Sequence, residues 1–438
     1  MKPWLTWYGD DFTGSVAVLE LLARARQDAV LFVGIPEESM VARFQACAAI
    51  GVAGTSRARS VEWIRLNLPL AAHFLKSFQS KVIHYKTCST LDSSPTIGSI
   101  GAAVDVFQEV LKSSWVPMVH AAPAIGRYQV FGNLFAVFDQ EVYRLDQHPV
   151  ASQHPVTPMR EANVVTHLQR QTSKRIGLIN ILSLRKTEHV LDELRRMIAD
   201  GSELVAIDVL DECDLAPIGK CIWETTEDPV LAVGSQGVEY CLLAYLEQPL
   251  TQLPSTASAP VIGVSGSASE ITERQLRHAE QHGFHLVRFD ANKVLTGRGD
   301  DAVEEALRAV RQTNMDCIVY TALGAKDPAI QEFHEVAATL GVSLAEAREK
   351  LGRSLGRVIR ELLLDHRKRV IVSGGDTSGA VISELQITAL TVIAEMVPTS
   401  PLCRGYSSDP LVDGIEILLK GGQMGGIDYF VQARGGAK

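Results

Sequence analysis

Short apolar runs alternate with longer stretches of helical period along most of the chain. In the first half the runs are Trp4–Tyr8, Ala29–Gly34, Ala48–Ala53, Val82–Tyr85, Pro117–Ala121, Ile176–Ile181 and Leu204–Val209. Between them, Val16 to Arg26, Val61 to Phe78 and Ile97 to Leu111 carry apolar residues at helical spacing. This alternation predicts βαβ units on a largely parallel sheet. Residues 122–160 break the rhythm. Gly132-Asn133 between Tyr128–Phe131 and Leu134–Phe138 predicts a hairpin, and His148 to Pro158 has no period. A long irregular segment inside a compact domain is often functional.

Glu247 to Pro260 reads EQPLTQLPSTASAP, three prolines among small polar residues with no periodicity, which marks a linker. The βα pattern then restarts at Val261–Val264, Phe284–Phe289, Cys317–Tyr320, Val370–Val372, Leu390–Ala394 and Ile415–Leu419. Leu344 to Leu364 reads as a long helix with a charged face, and no internal repeat is evident. The predicted architecture is α/β: two three-layer α/β/α domains with mainly parallel sheets, residues 1–246 and 261–438, joined by the linker 247–260. Such a pair implies an active-site cleft between the domains.

Length and composition agree with this picture. The chain has 438 residues, 46% hydrophobic and 21% charged, enough for two self-sufficient cores. A net charge of −9 argues against nucleic acid as the main partner, though a locally basic or amide-rich site can still bind a small anion. The seven cysteines form no Cys-x-x-Cys, so reduced, buried thiols are expected. The first residues run straight into a strand, unlike a signal or transit peptide. No apolar stretch approaches the ~18 residues that span a bilayer. A cytoplasmic protein without a membrane partner is expected.

Candidate chemistry sits where strands end. Tyr8-Gly9-Asp10-Asp11-Phe12-Thr13-Gly14 leaves the first strand and opens a helix, the place where open α/β sheets bind ligands. Its two carboxylates could take a proton from a substrate or hold its hydroxyls; alternatively they are a helix start favoured by the macrodipole, with Thr13 as the cap. Lys86, Ser89 and Thr90 leave another strand and could clamp a carboxylate or phosphate, unless Lys86 is a solvated loop lysine. Arg57 and Arg59 stand in the same position after the Ala48–Ala53 run. His148 and His154 lack a metal-ligand spacing and read as a shaped loop.

In the second half, Val264-Ser265-Gly266-Ser267-Ala268-Ser269, Ser373-Gly374-Gly375-Asp376-Thr377-Ser378-Gly379 and Lys420-Gly421-Gly422-Gln423-Met424-Gly425-Gly426 each follow a strand. Glycines let backbone N–H groups approach phosphate oxygens. Three such turns in one domain point to a nucleotide site, while neither a G-x-x-x-x-G-K-[ST] nor a G-x-G-x-x-G fingerprint is present.

Asp10-Asp11-Phe12-Thr13-Gly14, Thr55-Ser56-Arg57, Tyr85-Lys86, the Gly374-Gly375-Asp376-Thr377 turn and Lys420-Gly421-Gly422 together resemble the four-carbon acid sugar kinase family, over essentially the whole chain. The resemblance implies a sugar-acid-binding N-terminal domain and a nucleotide-binding C-terminal domain, with ATP and Mg2+ as cofactors. Asp10 or Asp11 would be the catalytic base. Thr13, Gly14, Arg57, Lys86, Ser89 and Thr90 would meet the acid, a four-carbon acid by default. Ser265, Gly266, Ser267, Gly374, Gly375, Asp376, Thr377, Gly421 and Gly422 would meet ATP. Two stretches depart from the family pattern. Lys86-Thr87-Cys88-Ser89-Thr90-Leu91-Asp92 lacks an Asp before Ser89 and has Asp92 where a basic residue is usual, and Ala124-Ile125-Gly126-Arg127 replaces A-N-G-R. The rival readings are a non-catalytic module that binds the nucleotide or a metabolite, and a nicotinamide-dependent oxidoreductase. Oligomeric state is left open, a homodimer included.

Overall fold

The computed structural model describes residues 2–154, 156–186, 190–225, 229–365, 369–397, 400–422 and 424–435. Pro155 and Gln423, which fall in the irregular loop and the last glycine turn read from the sequence, lie outside them. The chain divides into two compact units, Met1–Thr251 and Gln252–Lys438.

In the first unit eight parallel strands form one sheet: β1 (Leu5–Gly9), β2 (Ala29–Val33), β3 (Ala49–Ala53), β4 (Val82–Lys86), β5 (Val116–Val119), β9 (Ile176–Ile179), β10 (Leu204–Ile207) and β11 (Val230–Gly234). Their order is β2-β3-β1-β4-β11-β5-β10-β9. β1, β3 and β4 are buried along their whole length, as expected of parallel strands covered on both faces. A core of Ile64, Leu68, Tyr85, Phe107 and Leu231 packs one face. Between β5 and β9 the chain inserts an antiparallel meander of β6 (Arg127–Val130), β7 (Asn133–Phe138) and β8 (Glu141–Arg144). The predicted hairpin is there, but its turn is Phe131-Gly132, one residue earlier than expected. Both residues have positive φ (48° and 76°), as a two-residue hairpin turn requires. The second turn, Asp139-Gln140, also has positive φ at both residues but lacks a glycine, so β8 left no mark in the sequence.

The second unit holds β12 (Val261–Ser265), β13 (Phe284–Arg288), β14 (Asp316–Tyr320), β15 (Arg369–Ser373), β16 (Ile387–Val397), β17 (Ser400–Ser407) and β18 (Glu416–Lys420) in the order β13-β14-β12-β15-β18-β17-β16. The first five of these are parallel; β17 runs antiparallel to both neighbours. β17, with Pro401 and Gly405, was not read as a strand, because its composition suits a bulged edge better than a βα unit.

Hydrogen bonds tie Thr251 to Arg24 in the first unit, and Thr256 and Ala259 to Arg369 and Arg434 in the second. Among the described residues no helix is long and apolar enough to cross a membrane.

Both units share a local topology that the sequence did not reveal. In each, the first strand's connection runs outward to the second strand, the third strand returns beside the first, and the fourth crosses to the first strand's other side. The result is β2-β3-β1-β4 in one unit and β13-β14-β12-β15 in the other. Connections therefore diverge between β1 and β4, and between β12 and β15. This divergence opens a crevice at the carboxyl ends of the strands.

Candidate active site

In the first unit the crevice is framed by β1 and β4, with Gly9 in register with Lys86 on one side and Ala53 on the other. Asp10 N–H donates to the Lys86 carbonyl at 2.9 Å, and Arg57 N–H donates to the Asp10 carbonyl at 3.0 Å. Main-chain bonds thus gather three loops that are far apart in sequence. Gly9 must be glycine, because a Cβ there would lie 1.8 Å from Ser15 Oγ.

The helix Phe12–Arg24 starts two residues earlier than the Thr13 cap would require. Its cap is Asp11, whose Oδ1 accepts from Gly14 N–H at 3.0 Å. The same Oδ1 lies 2.7 Å from Arg57 Nη2, and Asp11 Oδ2 has no partner among the described residues. Asp10 is almost wholly buried, and both its oxygens meet Arg57, at 2.6 Å from Nη2 and 3.2 Å from Nε. Burial pushes the Asp10 carboxyl up, against the opposing pull of Arg57. Arg57, read as a clamp for an acid, is held by these two carboxylates and keeps only Nη1 free of them. Lys86 is not a solvated loop residue: it ends β4 and is 3% exposed. A Cβ on Gly14 would stand 2.4 Å from both Lys86 Nζ and Asp11 Oδ1, so the ammonium lies against the glycine.

The other candidates divide. Ser89 and Thr13 are half-buried with no side-chain partner among the described residues, whereas Thr90 donates to Asp92 at 2.9 Å and meets Cys88 Sγ at 2.8 Å. Burial pushes the Cys88 thiol up to about 11, which leaves it protonated. Arg59 stays outside the cluster, stacked on Trp63. His148 and His154 accept bonds from their own loop's N–H groups, as a shaped loop would. Arg127 was passed over by the sequence reading. Its Nη1 donates to the carbonyls of Ile125 and Gly126, its Nε is buried without a partner, and the Cys88 thiol lies within electrostatic reach. The altered Ala124-Ile125-Gly126-Arg127 stretch was the available signal.

In the second unit Gly266 N–H donates to the Ser373 carbonyl at 3.0 Å and Gly374 N–H to the Lys420 carbonyl at 2.9 Å, lacing the ends of β12, β15 and β18. A cavity of about 300 Å³ opens there. Gly266, Ser267 and Gly422 line it from two turns, and Gly374, Gly375, Asp376 and Thr377 from the third. The helix Gly375–Glu384 begins at this wall, so its first-turn amides have no partner within the helix. Gly374 has φ 120°, and a Cβ on Gly266 would lie 2.2 Å from Thr377 Oγ1. A Cβ on Gly375, in contrast, would meet nothing within 4 Å. Ser265 and Gly421 do not line the cavity, and the Ser265 hydroxyl is fully buried below it. The far wall is apolar, built from Ala322, Ile330, Phe333 and Leu351. These were missed because they belong to ordinary helical periods. No cluster of three metal-ligating side chains occurs among the described residues.

Residues 5–242 match a sugar-binding N-terminal domain and residues 262–430 a nucleotide-binding C-terminal domain. The chain is 42% identical to a 3-oxo-isoapionate kinase of Paraburkholderia graminis, over 99% of this chain and 94% of the relative. It is 29% identical to a 3-oxo-tetronate kinase of Pseudomonas savastanoi pv. phaseolicola, over 99% of this chain and 97% of the relative. Among solved structures, a Haemophilus influenzae protein superposes with a TM-score of 0.76 at 21% identity, over 98% of this chain and 99% of the other. That likeness speaks to the fold alone.

Proposed function

The chain belongs to the four-carbon acid sugar kinase family, and we propose that it moves the terminal phosphate of ATP onto a hydroxyl of a 3-oxo sugar acid. It is a phosphotransferase acting on a sugar acid; the oxo group and the residue roles are our reading. Residues 1–246 would bind the acid and residues 261–438 the nucleotide. The observation that carries the reading is the amide-lined cavity at Gly266, Gly374–Thr377 and Gly422, a surface suited to phosphate oxygens.

Phosphoryl transfer asks for positioning and charge neutralisation more than covalent chemistry. Asp11 suits the role of base, because its Oδ2 is unengaged and its side chain is 26% exposed. Asp10 is a positioning residue that holds Arg57, and Arg57 in turn fixes Asp11. Lys86 and Arg127, two cations without a carboxylate partner among the described residues, would receive the acid's carboxylate, with Ser89 and Thr13 offering hydroxyls. Asp11 Oδ2 would take the proton of the attacking hydroxyl as the O–P bond forms, and ADP leaves with the electron pair of the broken bond. In the nucleotide site Asp376 is the acid on the cavity wall. Mg2+ binds through one or two carboxylates together with phosphates, so this donor set fits an ion carried on ATP. Asp376 would hold it, and the ion supplies neutralisation of phosphate charge.

ADP release measured by a coupled assay over 3-oxo-tetronate, 3-oxo-isoapionate and the corresponding acids lacking the oxo group tests the reading. Turnover confined to the 3-oxo acids is expected. ATP binding with no ADP release on any acid would overturn it in favour of a non-catalytic module.

A further inference from the structure

Ser265, Ser373 and Lys420 stand side by side in register at the ends of β12, β15 and β18. All three are buried, and the two hydroxyls have no partner among the described residues. The backbone bonds from Gly266 and Gly374 hang two of the glycine turns from this row. Lys420 is its one charged member, and no carboxylate answers it among the described residues. Its ammonium donates to Thr272 Oγ1 at 3.2 Å and to the Gly421 carbonyl at 3.1 Å, and lies 5.6 Å from the centre of the Tyr429 ring.

Thr272 and Gln275 lie one turn apart on the helix Glu270–Gln281 and bind the third glycine turn by its carbonyls. Thr272 Oγ1 donates to Gly422 O at 3.0 Å, with Ser269 bonded to the same oxygen. Gln275 Nε2 donates to the carbonyls of Met424, Gly425 and Gly426. The turn's carbonyls are thus drawn to the helix, and no loop hydrogen bond from the N–H of Gly421 or Gly422 occurs among the described residues. Thr272 Oγ1 accepts from the Lys420 ammonium and donates to Gly422 O, so one hydroxyl links the lysine to the turn. Thr272 is also 3.0 Å from Ser267 Oγ, on the cavity wall.

We propose that Lys420 is a positioning residue of the nucleotide site: it orients the Gly421–Gly422 turn through Thr272 and supplies the buried positive charge that the nucleotide phosphates answer. The inference rests on the nucleotide reading above and adds to it a residue outside the cavity lining. A buried cation with no counter-charge is costly, and a polyanion bound next to it relieves that cost. The surrounding groups leave the role open to a ligand. Glu273 is engaged by Arg277 and Asp428 by Gln432, while Ser373, Ser400 and Tyr429 are uncharged at neutral pH. Burial alone brings the Lys420 ammonium down to about 8, so it loses its proton just above neutrality unless an anion holds it.

The test is calorimetric titration of the full chain with β,γ-imido-ATP and Mg2+ at pH 8, in two buffers of different ionisation enthalpy. Wild type is expected to bind with uptake of up to about half a proton per nucleotide, since binding restores the charge of a half-titrated ammonium. Lys420→Met should bind about tenfold to a hundredfold more weakly, with no uptake. Lys420→Arg should recover part of the affinity, still without uptake. Thr272→Val removes the relay and keeps the charge, so it should weaken binding while uptake persists. It carries the test together with Lys420→Arg if Lys420→Met fails to fold. Unchanged affinity in Lys420→Met, or uptake that survives in either lysine variant, overturns the role of Lys420. Failure of wild type to bind the analogue overturns the nucleotide reading itself.

Discussion

The two units build their crevices on the same strand order and furnish them in opposite ways. Between β1 and β4 the working groups are charged side chains, Asp10, Asp11, Arg57 and Lys86, interlocked within hydrogen-bond distance or pressed against Gly14. Between β12 and β15 three glycine turns dominate, with Asp376 and Arg348 on the cavity wall and Lys420 held back behind a hydroxyl. The difference follows the ligands each would take. Phosphates vary little in shape and suit a fixed array of N–H groups, whereas a proton must be removed from one hydroxyl of the acid, which needs a side chain that titrates. Topology sets where a ligand goes, and the side chains decide what is done to it.

The sharpest way to break this contrast is at Asp11. Asp11→Asn should lower kcat by about 10²–10⁴-fold, the usual contribution of a positioned base, with ATP affinity unchanged; turnover and calorimetry on one preparation check both. A mutant with full turnover would reduce Asp11 to a helix cap, whose loss costs about 0.5–2 kcal/mol of stability. Next comes the backbone cradle. Gly375 lines the cavity and a Cβ there meets nothing within 4 Å, so Gly375→Val adds bulk at the wall without a clash; ATP affinity should fall about a hundredfold, or about 2.7 kcal/mol, with the melting temperature nearly unchanged. Equal loss of melting temperature and affinity would mean that the turn is structural.

Gly14→Ala tests the side-chain crevice by steric means. Its methyl group would push Lys86 Nζ and Asp11 Oδ1 apart, so KM for the acid should rise about tenfold (~1.4 kcal/mol) while KM for ATP stays constant. The smallest effect is expected at Arg59. Its guanidinium sits on Trp63, so Arg59→Ala should cost about 0.5–1 kcal/mol of stability and leave kcat/KM for both substrates within about twofold. A large kinetic defect there would extend the charge cluster beyond its drawn edge.

How much of this could be read in advance depended on where information resides. The strand-end positions of Asp10, Asp11, Lys86 and the glycine turns were legible because apolar runs stop abruptly before them. The pairing of Arg57 with both carboxylates was not, since it spans 46 and 47 residues and depends on β3 lying beside β1. Thr13 was read as the cap in the alternative where the two acids merely favour the helix start, whereas the fold lets one Asp11 carboxylate oxygen cap while the other stays free. Lys420 stood in plain view within a quoted motif, yet its burial and its lack of a counter-charge are properties of three neighbouring strands. β17 and the apolar wall at Ile330, Phe333 and Leu351 carry no local signature, because packing alone distinguishes them from ordinary edge and helix residues.

The crossing of β4 over β1, and of β15 over β12, also bears on how the chain folds. Each crevice lies between strands that are spatial neighbours but not consecutive in sequence, so neither exists until a long crossover has closed. Loop closure of that span is a slow, late kind of event. A partly folded chain can therefore hold much of its secondary structure and have no binding site at all. The acid and the nucleotide would then select the finished topology and stabilise it by mass action, each acting as a reporter on the completion of its own unit.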